Sequence, residues 1–224
     1  MYTLFKLEVE NIQYKLALFD LDGTLLNGRS IFIFAEKLGF TKQLYNIIQK
    51  NIQPYEKSYE IAKLLRGIKQ ETLLSILRDI PFHADVETVI KKFKQNNITT
   101  AIATDGYQFV ANDVRNRLTM KYAYANNLVT NDGVATGKVE IHNTSLKTDS
   151  DDGTIYSICK GCILDDLCQK LNIQVEQTIA VGDGMVDRFM IKKAGLGIAF
   201  NASEKVQKHA DVHITNFKDI LNLI

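Results

Sequence analysis

The sequence predicts an α/β protein with a Rossmann-like, three-layer core, in which helices cover both faces of a parallel sheet, and a small helical cap inserted after the first strand. Two observations indicate the core. Short apolar segments alternate with helical segments, and three of the apolar segments end in polar residues. A third observation indicates the cap, because a block with helical periodicity and no strand signal separates the first two strands.

The first core strand is predicted at residues 15–19, and Asp20 to Thr24 follow it directly. Residues i and i+2 of a strand share a face, so Asp20 and Asp22 are expected to lie together at its carboxyl end. Two such anions repel each other and lose hydration. Mg²⁺ offsets that cost best, since it binds one or two carboxylates together with phosphate oxygens. The pattern therefore predicts a chemical site.

Residues 29–83 are predicted to form the helical cap. Apolar residues recur at helical spacing in three stretches, which begin near Ile31, Tyr55 and Leu73. Gly39 supplies a stop for the first helix.

Strands and helices alternate after the cap. The predicted strands lie at residues 98–103, 178–181 and 197–200, with a hairpin at 128–141, and the predicted helices at 86–95, 109–118, 161–171 and 187–194. The core is thus expected at residues 14–28 and 84–224. Residues 1–13 are predicted to be an N-terminal extension with one edge strand near 4–9, and residues 142–158 a loop. Ligands of parallel sheets bind beyond the carboxyl ends of the strands, where Asp20, Thr104 and Asp183 are predicted to lie.

Composition favours a cytoplasmic protein that binds neither nucleic acid nor membrane. The 224 residues carry 27 Lys and Arg against 26 Asp and Glu, a formal net charge of +1. The first residues lack the pattern of a signal peptide, and no apolar run reaches membrane length. Nothing in the sequence indicates an oligomeric state.

Three cysteines favour a reducing compartment over a disulfide framework. Cys159 and Cys162 have metal-ligand spacing, but a structural zinc needs four ligands and Lys160 lies between them. We therefore expect thiols rather than a zinc or redox site.

Four segments in order, namely Asp20 to Thr24, Thr104, Lys160 and residues 182–187, resemble the motifs of the haloacid dehalogenase-like hydrolases. The likeness is closest to their phosphoserine phosphatase-like branch and extends over the chain outside the N-terminal extension and the 142–158 loop. Each segment alone has an ordinary explanation, such as a turn or a solvated lysine. Their joint order at strand ends favours the family and its α/β fold with a cap.

This resemblance implies a Mg²⁺-dependent phosphatase that forms an aspartyl-phosphate. Asp20 would attack phosphorus, and Asp22 would protonate the leaving oxygen and then accept a proton from water. Asp20, Asp183 and the backbone carbonyl of Asp22 would hold the metal.

The resemblance also implies the groups around the phosphate. Lys160 would stabilise the nucleophile and the transferring phosphoryl group. The Thr104 hydroxyl, with backbone N–H groups near Asp105 and Gly106, would bind the remaining oxygens. The supporting residues of the motifs are Thr24, Gly184 and Asp187.

The substrate is predicted to be a small phosphorylated metabolite other than phosphoserine. In this branch an acidic residue after the first motif holds the substrate ammonium and a cap arginine holds its carboxylate, but this sequence has Arg29 and Ala62 there. Arg29 and Arg66 would select a more anionic substrate, with Tyr55 in the roof of the site. The alternative is that both arginines are solvated surface residues.

Two departures from the family pattern keep other functions open. Val186 replaces an asparagine, and Asp105 stands where the branch has glycine, so we expect Asp105 to turn away from the site or contact the cap. The alternatives are phosphoryl transfer to an acceptor other than water and a catalytically weak scaffold that binds a phosphorylated ligand or a protein. Retention of Asp20 and Asp22 argues against the scaffold.

Overall fold

A seven-stranded sheet forms the centre of the computed structural model, which describes residues 13–148 and 152–224. Its strands are β1 (Leu16–Phe19), β2 (Thr99–Tyr107), β3 (Tyr122–Asn131), β4 (Val134–Glu140), β5 (Thr178–Gly182), β6 (Leu196–Phe200) and β7 (Val212–Ile214). They are ordered β4-β3-β2-β1-β5-β6-β7, and every neighbouring pair is parallel except β3 with β4. The predicted parallel α/β architecture is confirmed.

Nine α-helices accompany these strands in the described part of the chain. They are α1 (Ser30–Leu38), α2 (Thr41–Ile48), α3 (Pro54–Leu64), α4 (Gln70–Arg78), α5 (Val86–Gln95), α6 (Gln108–Arg117), α7 (Lys160–Leu171), α8 (Arg188–Lys193) and α9 (Glu204–Gln207). Short 3₁₀ turns cover Val175–Gln177, Met185–Asp187 and Phe217–Asn222. None of the described helices has the length and apolar character needed to cross a membrane.

Strand β1 lies at the centre of the sheet and contributes to two hydrophobic layers. Phe19 packs in one layer with Phe93 of α5, whereas Leu18 packs in the other with Leu164 of α7. All four of these side chains are fully buried, and burying each contributes about 1.5–3 kcal/mol. This packing fixes the strand on both faces and thereby fixes the position of Asp20 at its end.

Helices α1 to α4 follow β1. Three of them, α1, α3 and α4, lie where the apolar stripes predict helices, whereas α2 was not predicted. Gly39 ends α1 in the left-handed conformation, with a φ of 80°, which glycine adopts without a steric penalty. The helical block contacts the sheet through the β3–β4 hairpin. Gly67 N–H donates to the Ala135 carbonyl at 2.8 Å and Ala135 N–H donates to the Ile68 carbonyl at 2.9 Å.

Three strands differ from prediction. Strand β2 continues to Tyr107 instead of ending at residue 103, because Tyr107 pairs with Asn126 of β3. Strand β3 begins at Tyr122 instead of residue 128. The strand ending at Phe200 is not the last, since β7 pairs with it. The edge strand predicted near residues 4–9 lies outside the described residues.

Candidate active site

The carboxyl ends of β2, β1 and β5 meet at one edge of the sheet. Asp20 follows β1, Thr104 and Asp105 lie near the end of β2, and Asp183 follows β5. A cavity of about 330 Å³ opens beside them. Its lining combines several carboxylates with Arg29, Tyr156 and a set of apolar residues, namely Ile31, Phe32, Ile48, Ile61, Met185 and Val186.

Three carboxylates of this edge form a cluster. Asp20, Asp183 and Asp187 each offer an oxygen, and these oxygens lie within 4.8 Å of one another. Carboxylate oxygens are hard donors that suit Mg²⁺, so the donor set fits the metal that the sequence implies. Asp187, which was expected only to support the site, belongs to the cluster, while the side chain of Asp22 does not.

Lys160 is the first residue of α7 and is buried between two of these carboxylates. Its Nζ lies 2.5 Å from Asp20 Oδ1 and 2.5 Å from Asp187 Oδ1. Burial alone would lower the pKa of Lys160, but the charges of Asp187 and Asp20 outweigh it and raise the pKa above its ordinary value. The ammonium is therefore a fixed positive charge beside Asp20.

Asp187 shapes the loop that carries Asp183. Its Oδ2 accepts hydrogen bonds from the backbone N–H of Asp183 at 3.1 Å and of Gly184 at 2.8 Å. A Cβ on Gly182 would lie 2.5 Å from Asp187 Cβ, so only glycine fits there. Burial, followed by the charge of Asp20, raises the pKa of Asp187 to about 7.

Asp22 is held by the start of the cap. Its Oδ1 accepts from the backbone N–H of Ser30 at 2.8 Å, and its Oδ2 accepts from the Ser30 hydroxyl at 2.9 Å. Burial raises the pKa of Asp22 to about 7, with the charges of Asp20 and Asp105 adding to it and the Ser30 bonds opposing it. Sequence reasoning missed Ser30, although a hydroxyl residue at the start of the first cap helix was a usable signal.

Asp183 accepts hydrogen bonds from the side chains of Thr24 and Arg29, which both lie between β1 and α1. Thr24 Oγ1 donates to its Oδ1 at 3.1 Å, and the Arg29 guanidinium donates to its Oδ2 at 3.2 Å. Burial, followed by the charge of Asp20, raises the pKa of Asp183 to about 6. The Arg29 side chain is 56% exposed and lines the cavity.

Asp105 lines the cavity together with the cap residues Ile31 and Ile61, so of the two alternatives, turning away from the site or contacting the cap, the first is wrong. The reason is that β2 stays extended beyond Thr104, and Asn126 Nδ2 holds the Asp105 carbonyl at 2.6 Å. Asp105 is exposed as a residue, but partial desolvation of its carboxyl by the cavity walls raises its pKa. Thr104 is fully buried, and its Oγ1 accepts from Gly106 N–H at 3.1 Å.

Two predicted recognition residues are not among the residues that line this cavity. Arg66 Nε donates to the Thr136 carbonyl of the β3–β4 hairpin at 3.1 Å. The Tyr55 ring packs edge-on against Tyr59, with centroids 6.2 Å apart. Tyr156 lines the cavity instead, from a segment in which no sequence motif indicated a site residue.

Cys159 and Cys162 are joined in a disulfide, so the expectation of two free thiols is wrong. Both residues lie at the start of α7, where the helical turn brings their Cα atoms to 5.2 Å. Cys168 is a half-buried free thiol.

Comparison with known proteins agrees with this geometry. The haloacid dehalogenase-like hydrolase family matches residues 14–195. A phosphoserine phosphatase of Methanocaldococcus jannaschii is 32% identical over 94% of this chain and 97% of its own length. One from Idiomarina loihiensis is 30% identical over 93% of each chain.

A solved structure of a phosphoserine phosphatase, described as a phospho-aspartyl intermediate analogue, superimposes with a TM-score of 0.80. It is 30% identical and covers 95% of this chain and 99% of its own. Because the family match spans most of the residues and carries the motifs that gather around Asp20, this chain belongs to the haloacid dehalogenase-like hydrolases and is a phosphomonoester hydrolase of their phosphoserine phosphatase-like branch.

Proposed function

We propose that this protein is a Mg²⁺-dependent phosphatase that hydrolyses a small phosphomonoester through an aspartyl-phosphate on Asp20. One observation carries the proposal. The Asp20 carboxylate lies at the end of a buried strand, 2.5 Å from a buried ammonium and inside a cluster of three carboxylates beside a cavity. The solved phosphoserine phosphatase described as a phospho-aspartyl intermediate analogue supports the same intermediate.

The metal would be held by Asp20, Asp183 and the backbone carbonyl of Asp22, with Asp187 close enough to join directly or to orient the other ligands. Mg²⁺ in that position supplies positive charge to the phosphoryl oxygens and so reduces their repulsion of an anionic nucleophile.

Four side chains of the site would have separate roles in the transfer of the phosphoryl group. One Asp20 oxygen forms the bond to phosphorus while the bond from phosphorus to the ester oxygen breaks. Asp22 gives its proton to the departing oxygen and then takes a proton from the water that attacks the aspartyl-phosphate. Lys160 keeps Asp20 oriented and offsets charge on the transferring group. The Thr104 hydroxyl and neighbouring N–H groups would bind phosphoryl oxygens.

The substrate is proposed to be an anionic, partly apolar phosphomonoester other than phosphoserine. Arg29 provides a guanidinium at the cavity wall, which would repel a substrate ammonium and attract a carboxylate or second phosphate. The apolar residues Ile31, Phe32 and Ile61 would contact the carbon skeleton. Such a small phosphorylated metabolite agrees with the cytoplasmic location that composition favours.

Hydrolysis of p-nitrophenyl phosphate tests the reaction. We expect turnover with Mg²⁺, loss of turnover with EDTA, and a fall of at least about 10³-fold in kcat for Asp20→Asn, since a carboxamide cannot replace the nucleophile. Equal rates under the three conditions would contradict the proposal.

A panel of phosphorylated metabolites tests the substrate. Phosphomonoesters that carry a second anionic group should give the highest kcat/KM. Phosphoserine as the best substrate would show that the interpretation of Arg29 is wrong.

A further inference from the structure

Two cysteines flank Lys160 in the chain and are joined across it. Cys159 immediately precedes Lys160, and Cys162 follows it by two residues. We propose that this pair is a thiol–disulfide exchange site whose redox state controls how firmly Lys160 is positioned against Asp20. The proposal rests on the proposed role of Lys160 in phosphoryl transfer.

The two cysteines differ in exposure. Cys159 is buried, with 5% exposure, whereas Cys162 is half-buried. The Cys162 backbone N–H donates to Cys159 Sγ at 3.3 Å. Cys159 is also the N-cap of α7, a helix of twelve residues, whose N-terminus stabilises negative charge.

This asymmetry predicts the course of the exchange. The thiolate of a small thiol such as glutathione attacks Sγ of Cys162, the more exposed cysteine, the bond between the two protein sulfurs breaks, and Cys159 departs as a thiolate. The leaving sulfur is the one that already accepts a backbone hydrogen bond. A second thiol then attacks the mixed disulfide and releases Cys162.

In the net reaction, two external thiols are oxidised to one disulfide, and the protein disulfide takes up two electrons and two protons to become two thiols. The reverse reaction uses a small disulfide such as oxidised glutathione as the oxidant. Both directions need only cellular thiols and disulfides.

The position of the pair links it to the active site on two sides. Lys160 lies within the ring that the bridge closes, and its Nζ contacts Asp20 and Asp187. On the N-terminal side of the pair, Ser157 lies two residues before Cys159 in the chain. Its Oγ accepts a hydrogen bond from Asn126 Nδ2 at 2.8 Å, and the same amide group donates to the carbonyl of Asp105. Reduction of the disulfide removes a restraint on the backbone at Lys160. The Lys160 ammonium, which must be placed accurately beside Asp20, then becomes less well oriented.

The experiment compares the intact protein in its disulfide and dithiol states, with the state of each cysteine determined by alkylation and mass spectrometry. We expect reduction to lower kcat by about three- to tenfold with little change in KM, because Lys160 acts on the transition state more than on substrate binding. Oxidised glutathione should restore kcat.

Two variants make the result specific. Cys168→Ser should respond to reduction as the parent does, because Cys168 is outside the pair. Cys159→Ser with Cys162→Ser should have the kcat of the reduced protein in both conditions. If that double variant does not fold, Cys162→Ala alone serves in its place.

The outcomes separate this proposal from the proposed function. Equal kcat in the two verified states would overturn the control of Lys160, and a pair that never forms the disulfide in the folded protein would overturn the exchange site, even if phosphatase activity is high. If the protein is inactive in both states, the proposed function fails. Hydrogen exchange at residues 158–164 then still tests the exchange site, with faster exchange expected after reduction and unchanged exchange overturning it.

Discussion

Two parts of the site are held in different ways: the group of Asp20, Lys160 and Asp187, which we call the floor, and the side of the cavity next to the cap, where Arg29 lies. On the floor, Asp20, Lys160 and Asp187 are at most 4% exposed, and each is bonded to another member of the group. On the cap side, Arg29 is 56% exposed and makes one ion pair. The sheet and α7 thus fix the reacting groups, whereas the groups that would meet the rest of the substrate are weakly held. This difference supports the proposal that the core carries out the reaction and the cap selects the substrate.

Among the substitutions of basic residues, removal of Lys160 should give the largest effect, because Asp20 and Asp187 are paired with its charge. Lys160→Met should lower kcat by about 10²–10³-fold. It should also lower the free energy of unfolding by about 3–5 kcal/mol, since Asp20 and Asp187 would remain buried without their partner. Steady-state kinetics and urea denaturation measure the two effects.

Lys193→Met is the matched control, because Lys193 also pairs with an aspartate, Asp165, but at the surface. Its effect should stay below about 1 kcal/mol, with kcat unchanged. Equal effects of the two substitutions would remove the distinction between the floor and the surface.

The carboxylates of the site should make stability depend on pH when no metal is present. Folding raises the pKa of Asp22 and Asp187 to about 7 and that of Asp183 to about 6, from an ordinary 3.8. Groups with raised pKa bind more protons in the folded state, so their contribution is fully present below pH 3.8 and is lost as pH rises through 6 to 7. His83 and His142, whose pKa values burial lowers, act in the opposite sense.

We therefore expect the Tm in EDTA to rise when pH is lowered from about 7.5 to about 5.5. Mg²⁺ should raise the Tm most at the higher pH, where the carboxylates are ionised. Scanning calorimetry at both pH values, with and without Mg²⁺, makes the measurement. A Tm that falls on acidification in EDTA would contradict the proposed accumulation of negative charge.

Substitution of Arg29 should have a smaller effect, and this effect should fall on the Kd for Mg²⁺ and on KM instead of kcat. Arg29→Gln frees Asp183 from its ion pair, so the Kd for Mg²⁺ should fall by up to about fivefold, as expected for an exposed pair worth up to about 1 kcal/mol. The same variant should raise KM for anionic substrates. Isothermal titration and kinetics measure these quantities.

Arg66→Gln is the matched control, because Arg66 bonds the Thr136 carbonyl and does not line the cavity. It should leave both the Kd for Mg²⁺ and KM unchanged. The same change in Kd and KM for both variants would contradict the specific role of Arg29 at the cavity wall.

The smallest effect is expected at a contact between α4 and α6 whose residues do not line the cavity. Arg78 of α4 bonds Asp113 of α6 through Nε at 3.0 Å and a terminal nitrogen at 2.7 Å. Arg78→Gln should cost up to about 1 kcal/mol of unfolding free energy and leave kcat unchanged. A large fall in kcat, measured with the same substrate, would mean that this contact controls the site.

The difference between floor and cap also explains what could be predicted from the sequence. Asp20, Asp183 and Lys160 could be assigned to one site because each belongs to a compact motif at the end of a strand or the start of a helix. The positions of Arg66 and Tyr55 relative to the cavity could not be predicted, since helical spacing shows which residues share a face but not which neighbour that face contacts.

The other differences between prediction and structure have separate causes. Asp105 faces the cavity because Asn126, 21 residues away, holds its carbonyl. The cysteine pair was a usable signal, but the odd cysteine count favoured thiols. Strand β7 has three residues, too few for an alternating pattern to identify.

The most direct test of the proposed mechanism is to trap the covalent intermediate. The protein is mixed with a good phosphomonoester substrate and Mg²⁺, quenched in acid within one turnover, digested and examined by mass spectrometry. We expect one added phosphoryl group on the peptide that contains Asp20, removed by hydroxylamine and absent in Asp20→Asn. A phosphoryl group on another residue, or the same labelling in Asp20→Asn, would contradict the role of Asp20 as the nucleophile.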